Sequence, residues 1–202
     1  MDAFRAHGSN MIAFIRRLAH ALLGDYALYR IWQFDTRSSE TPSGPLQVRA
    51  LQASELAGPA VAPELKAAGW YFGEDSLAFG CFDGPQLVGL TFYWHGQRYQ
   101  TRRSWPIDAQ AAKLVHIVTA ATHRGRGVAS ALIAQSSQAV LGRGFKKLYA
   151  RIWHSNTPSL AAFARAGWRP CGWLVQINPL RLSQPWTLWA GSQARPSNQT
   201  RT

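Results

Sequence analysis

Residues 113–130 read KLVHIVTAATHRGRGVAS and residues 156–168 read NTPSLAAFARAGW. The first stretch joins an apolar run, Leu114–Thr119, through a turn rich in glycine and arginine to a helical pattern that starts near Gly125. Such a junction suits an anion. Glycine lets the backbone approach closely, the first-turn N–H groups have no internal partners, and the helix dipole favours negative charge. A phosphorylated cofactor is therefore expected between His123 and Ala129, and its identity decides the function.

Two familiar phosphate sites fail on particular residues. A dinucleotide fingerprint needs a third glycine where Ser130 stands, and an acid about 20 residues further on. No Asp or Glu comes after Asp108. A P-loop needs Gly-Lys-Ser/Thr, which is absent. Charge points the same way as the turn. Residues 1–108 hold ten acids and ten Lys or Arg, whereas residues 109–202 hold twelve Lys or Arg and no acid, so the net charge of +12 belongs to the second half. An anionic partner is expected for that half.

The 202 residues, 47% apolar with nine Trp, are enough for one packed domain with an extension. Cys81 and Cys171 are far apart without metal-ligand spacing, so reduced thiols in a cytoplasmic protein, and no metal, are expected. No apolar run reaches the roughly 18 residues of a transmembrane helix.

Outward from the turn, Tyr26–Phe34, Leu46–Leu51, Ser76–Phe82 and Gln86–His95 read as strands, the last two joined by Asp83-Gly84-Pro85. Residues 4–23 carry an amphipathic helical pattern, which is expected to pack on the domain rather than on a membrane surface. Gly96–Ala109 reads as a basic, aromatic loop. Strand Lys113–Thr119, helix Gly125–Leu141, strand Lys147–Trp153, a helix from about Thr157 to Ala166, and strands near Trp168–Ile177 and Trp186–Trp189 complete an α/β (α+β) domain. The expected division is an extension over 1–45, a domain over 46–190 and a disordered tail over 191–202.

Arg124, Gly127 and Ala129, after a strand and opening a helix, resemble the Arg/Gln-x-x-Gly-x-Gly/Ala signature of the GNAT superfamily of acyl-CoA-dependent N-acyltransferases. Asn156, Ser159 and Gly167-Trp168 resemble the family's Asn, small residue and Gly-Phe after the next strand. The resemblance covers residues 110–170 by motif and 46–110 by element order. It implies a mixed, mostly antiparallel sheet with a splayed strand pair holding CoA, and helices on both faces. It implies acetyl-CoA, or another acyl-CoA, as cosubstrate. Val118 and Thr119 would hold the pantetheine, and Arg124, Gly125, Arg126, Gly127, Val128 and Ala129 the pyrophosphate, with Asn156 and Phe163 nearby. A small-molecule amine, such as an amino sugar, would attack the thioester directly, with a backbone N–H near Val118 stabilising the oxyanion. A homodimer is compatible with the resemblance.

The chain departs from the family at Phe163, where many members have a tyrosine acid. Three readings stay open: a thiolate leaving without an acid, another donor such as Ser159, Tyr149 or water, or acyl-CoA binding without turnover. His116, Tyr93 and His95 are the candidate bases, because the amine must lose a proton before attack. A lone His in an apolar strand such as His116 is more often a packed core residue. Arg102 and Arg103 would suit an anionic acceptor, although a solvated loop explains them as well. A nucleic-acid-binding module is the remaining alternative and is disfavoured.

Overall fold

The computed structural model describes residues 25–35, 45–101, 105–178 and 186–191. The helical pattern over 4–23, Arg102, Arg103 and the tail beyond 191 lie outside them. Eight strands form one sheet: β1 (Asp25–Phe34), β2 (Leu46–Ala50), β3 (Ser76–Asp83), β4 (Gln86–Trp94), β5 (Ala111–Thr119), β6 (Lys147–Trp153), β7 (Arg169–Asn178) and β8 (Trp186–Gly191). Their spatial order is β2-β3-β4-β5-β6-β1-β7-β8, and among the described residues only the β5–β6 pairing is parallel. The α/β sheet expected from the sequence is present, with helices on both faces.

The helices are α1 (Pro63–Lys66), α2 (Gly96–Thr101), α3 (Val128–Gly142) and α4 (Thr157–Arg165). Helix α3 buries Val128, Leu132, Ile133, Ser136, Ser137, Val140 and Leu141, a stripe at helical spacing that faces the sheet. It ends where Gly144 takes φ 99° and donates its N–H to the Leu141 carbonyl. In α4 the Asn156 side chain accepts from Ser159 N–H at 3.2 Å, and Pro158 sits in the first turn. It ends at Gly167, with φ 80°.

One core lies between the sheet and helices α3 and α4, including Phe34, Tyr93, Leu114, Ile133, Leu148 and Phe163. On the opposite face Leu56, Leu65, Phe82, Leu90 and Phe92 pack under α1 and its flanking 3-10 turns. The Asp83–Gln86 pairing closes the expected hairpin, with Gly84 at φ 57°.

Two expectations change. The sequence places β1 in an extension before residue 46. In the structure it pairs with β6 from Tyr29 to Phe34 and with β7 from Asp25 to Gln33, so it is an interior strand of the sheet. The Gly96–Ala109 segment, expected as loop throughout, begins with helix α2. Arg98 fixes that helix: its Nη2 donates to the Trp70, Tyr71 and Phe72 carbonyls at 3.1, 3.1 and 3.0 Å.

Candidate active site

Strands β5 and β6 pair only from Ala111–Lys147 to Leu114–Ala150. Beyond that pair β5 continues along β4 to Thr119, while β6 continues along β1 to Trp153. A V-shaped opening therefore lies between Val115–Thr119 and Arg151–Trp153, with its apex at Leu114 and Ala150. The register between β4 and β5 shifts opposite Phe92/Tyr93, because Val115 is an extra residue on β5. Such a bulge bends its strand and re-aims the residues beyond it.

Hydrogen-bond parity decides which β5 groups face the opening. Ala120 N–H donates to the Val88 carbonyl at 2.8 Å, and Thr91 Oγ1 donates to the His116 carbonyl at 2.9 Å. Alternation along an antiparallel pair then turns the backbone groups of His116 and Val118 towards β4, and those of Ile117 and Thr119 towards the opening. Consistent with this, the Val118 carbonyl lies 3.0 Å from where a Cβ on Gly89 would stand. Near Val118, where an oxyanion donor is expected, the Val118 N–H faces the β4 ladder and the Ile117 N–H faces the opening.

Past β5, a 3-10 turn at Ala121–His123 leads into the glycine turn. Gly125 and Gly127 take φ 79° and 80°, the left-handed region, and a Cβ on either would meet nothing within 4 Å. The first α3 donor is Ala131 N–H, bonded to the Gly127 carbonyl at 2.9 Å. The N–H groups from Gly127 to Ser130 therefore lack intrahelical partners. Arg124 and Arg126 are exposed beside them. A cavity of about 430 Å³ borders the same turn, lined by Arg126, Gly127, Ser130, Ala131 and Arg165 among others. Helix terminus, open glycines, arginines and cavity together fit a diphosphate and its nucleotide.

The remaining expected residues divide between core, capping and the opening. Val128 is buried at the start of α3 and Ala129 is half-buried on its first turn. Asn156 uses its side-chain oxygen to cap α4, and Ser159 sits half-buried in that first turn. Phe163 is 2% exposed and packs edge-on against Trp168 at 5.0 Å, so it belongs to the core and offers no open face to a cosubstrate. Tyr93 is excluded as a catalytic group. It is fully buried, its hydroxyl meets Ser136 Oγ at 2.9 Å and Ser137 Oγ at 3.3 Å, and burial pushes its pKa up to about 12. His95 stands against Asp75, 3.5 Å from its carboxylate, and against Phe145 at 5.0 Å, away from the opening.

His116 does border the opening. It is half-buried, stacks on Tyr71 at 4.3 Å and 12°, and burial lowers its pKa. Tyr71 is held by its carbonyl, which accepts from Ser76 Oγ, Trp94 Nε1 and Arg98 Nη2. Sequence reasoning missed that platform, and it missed Glu64. The Glu64 carboxylate accepts from Ala121 N–H at 2.7 Å, which lowers its pKa and ties α1 to the segment before the glycine turn. Residues 63–66 are too short a helix to carry a sequence signal of that kind. Among the described residues no helix is long and apolar enough to cross a membrane.

Among curated proteins, streptothricin acetyltransferase from Escherichia coli is 30% identical over 94 residues that cover 46% of this chain and 48% of that protein. The chain thus spans about half the length of that relative. Among solved structures, a GNAT-family protein from Novosphingobium aromaticivorans superposes with a TM-score of 0.54 at 16% identity, covering 76% of this chain and 64% of its own. A GNAT-family acetyltransferase from Colwellia psychrerythraea gives 0.54 at 16% identity, covering 81% and 60%. These likenesses concern the fold. The acetyltransferase (GNAT) family model matches residues 26–168, a span that contains β1 from Tyr26 onward, the β5–β6 opening, the glycine turn and the capped helix α4. On that match the chain belongs to the GNAT acetyltransferase family.

Proposed function

We propose that the chain transfers an acetyl or other short acyl group from acyl-CoA to a primary amine on a small molecule, by direct attack within a ternary complex. The observation that carries this reading is the alignment of the β5–β6 opening with the left-handed Gly125/Gly127 turn at its wide end. The diphosphate would rest on the Gly127–Ser130 N–H groups with Arg124 and Arg126 beside it. The pantetheine would run along β5 as an added strand, meeting the backbone of Thr119 and Ile117. That path leads the thioester towards the apex, where the Ile117 N–H can stabilise negative charge on the carbonyl oxygen. Phe163 supplies no proton, so the sulfur leaves as a thiolate and is protonated by water or by Ser159. Proximity and one oxyanion donor are enough for acyl transfer to a neutral amine.

The acceptor is proposed to be a small-molecule amine, such as an amino sugar or streptothricin. The relative's name supports trying the latter first. Purified protein is incubated with acetyl-CoA and a panel containing streptothricin, aminoglycosides and simple diamines, and thiol release and acetylated products are measured. Thiol release with stoichiometric product supports the reading. Tight acetyl-CoA binding without turnover across the panel would favour the second reading, an acyl-CoA-binding protein. That reading draws on the phenylalanine at position 163.

A further inference from the structure

Alternate residues of β1 point to opposite faces of the sheet. Tyr29 and Ile31 pack in the core beside Trp105, whereas Trp32 and Phe34 pack in the core beneath α4. Tyr26, Leu28 and Arg30 therefore share the face of Trp32 and Phe34. Lateral pairing carries that face across two more strands. Tyr26 stands beside Ile177 of β7 and Trp186 of β8, and Leu28 beside Val175 and Leu188. On this face α3 lies over β2 to β5, and α4 over β6 and the second half of β1. Among the described residues no helix lies over the first half of β1, β7 or β8. Tyr26, Trp186 and Leu188 are accordingly 55, 64 and 60% exposed. The Arg30 guanidinium, 4.8 Å above the Trp173 ring, bounds the patch on the α4 side.

The N-terminal segment outside the described residues ends beside this patch, because only Gly24 separates residue 23 from the first residue of β1. Within it Met11, Phe14, Ile15, Leu18 and Leu22 recur at the spacing of one helical side, with Arg16, Arg17 and His20 on the other. Asn10 suits an N-cap and Gly24 a helix stop. The sizes match. As a helix, residues 11–23 would be about 20 Å long and about 10 Å wide. Tyr26–Arg30 is roughly 17 Å of strand, and β1, β7 and β8 side by side are roughly 14 Å across. A second copy fits less well: the footprint is on the order of 250 Å², against about 800 Å² per partner in a stable dimer.

We propose that residues 11–23 form a helix that docks its apolar side on this face of β1, β7 and β8. The amphipathic pattern asks for an apolar surface without naming one, and the sheet leaves one open at the point where the segment joins it. The helix is the third of its layer, beside α4, with Arg16, Arg17 and His20 turned to water. Gly24 makes the reversal into β1, which a residue free to take positive φ allows in one step. Docking covers the half-buried Leu28, Val175 and Ile177 and shields Trp186 and Leu188. It thereby blunts β8, the last strand of the sheet, as a template for another chain. No cosubstrate takes part, so the docking and the acyl-transfer reading fail separately.

Hydrogen exchange of the full chain, read by mass spectrometry with light scattering for the molecular mass, tests this. One double variant, Phe14→Glu with Leu18→Glu, alters the segment. Another, Trp186→Glu with Leu188→Glu, alters the sheet face. In wild type, amides 12–23 are expected to exchange about a hundredfold or more slower than in an unstructured peptide. Either double variant should abolish that protection, and Arg16→Gln with Arg17→Gln should keep it. The segment variant should also speed exchange in β8 and the first half of β1, while β3–β5 stay within about twofold of wild type. That variant leaves the sheet sequence intact, so it decides the matter if the Trp186/Leu188 variant does not fold. Peptide-like exchange of residues 12–23 in wild type would overturn the proposal. Unchanged β8 exchange in the segment variant, or protection that survives in a folded Trp186/Leu188 variant, would overturn it by placing the segment elsewhere. Protection that grows with protein concentration alongside a dimer mass would give the face to a second copy. Protection seen only with phosphatidylserine vesicles would give the segment to a membrane, and either result sinks the docking.

Discussion

At the residue scale, burial decides which polar groups can do chemistry. Tyr93 and His116 read alike as candidates in the sequence, because each sits on an apolar strand. The β4–β5 bulge and strand alternation separate them: Tyr93 turns into the α3 core, where Ser136 and Ser137 hold it, while His116 turns outward under Tyr71. Phe163 shares the buried side. Phe163→Tyr would place a hydroxyl among Phe34, Ala162 and Trp168, and is expected to cost about 1–3 kcal/mol while changing turnover by less than about tenfold. Urea unfolding and steady-state rates check this, and a hundredfold gain in rate would mean that the wild type lacks a usable acid. Lys113 gives a pH prediction. Its folded pKa is depressed to about 7 from an ordinary 10.5, so between those values the unfolded chain binds the extra proton. Stability then rises with pH across that window. Lys113→Met should remove this slope and stabilise the protein at pH 7 and below. Urea midpoints compared between the two proteins from pH 6 to 9 test it, and parallel curves would count against a buried free base.

At the element scale, β1 is the finding with the largest consequence. Residues 26–34 are aromatic and branched enough to read as a strand, yet their alternation is poor because both faces are covered, Ile31 packing in one core and Trp32 and Phe34 in another. Sequence pattern reveals such a strand but not its neighbours, which are more than 100 residues away in the chain. Deleting residues 1–34 would leave β6 and β7 without their shared partner. The truncated chain is expected to lose cooperative unfolding altogether, which differential scanning calorimetry would detect. A truncated protein that still melts in one sharp transition would contradict that role. The α1 segment makes a smaller claim. Glu64→Gln should weaken the hydrogen bond to Ala121 N–H and loosen the entry to the glycine turn. The readout is acetyl-CoA affinity, expected to fall by roughly several-fold, with no loss of helical signal in circular dichroism.

At the scale of the whole molecule, the legible parts are those encoded in contiguous residues: the strand–turn–helix junction, the capped helix closed by Gly167-Trp168, and the Asp83–Gln86 hairpin. The parts not legible depend on register. The N–H facing the opening belongs to Ile117 rather than Val118 because a one-residue bulge changes which groups turn that way, and composition carries no trace of that. Lys113 likewise reads as an ordinary basic residue until its aromatic surroundings are assembled from β5, α2 and Trp105. The charge asymmetry does survive assembly, since the turn and its cavity carry Arg124, Arg126 and Arg165 against Asp83. Acyl-CoA binding at that turn is the central requirement. The deciding measurement is calorimetric titration of acetyl-CoA into wild type and Gly127→Glu. Glutamate there brings a side chain and a negative charge to the open position where the diphosphate would sit, and strains a left-handed backbone by about 1–2 kcal/mol. The account predicts one site per chain in wild type and no measurable binding in a variant that still unfolds cooperatively. Unchanged affinity in that folded variant would contradict it.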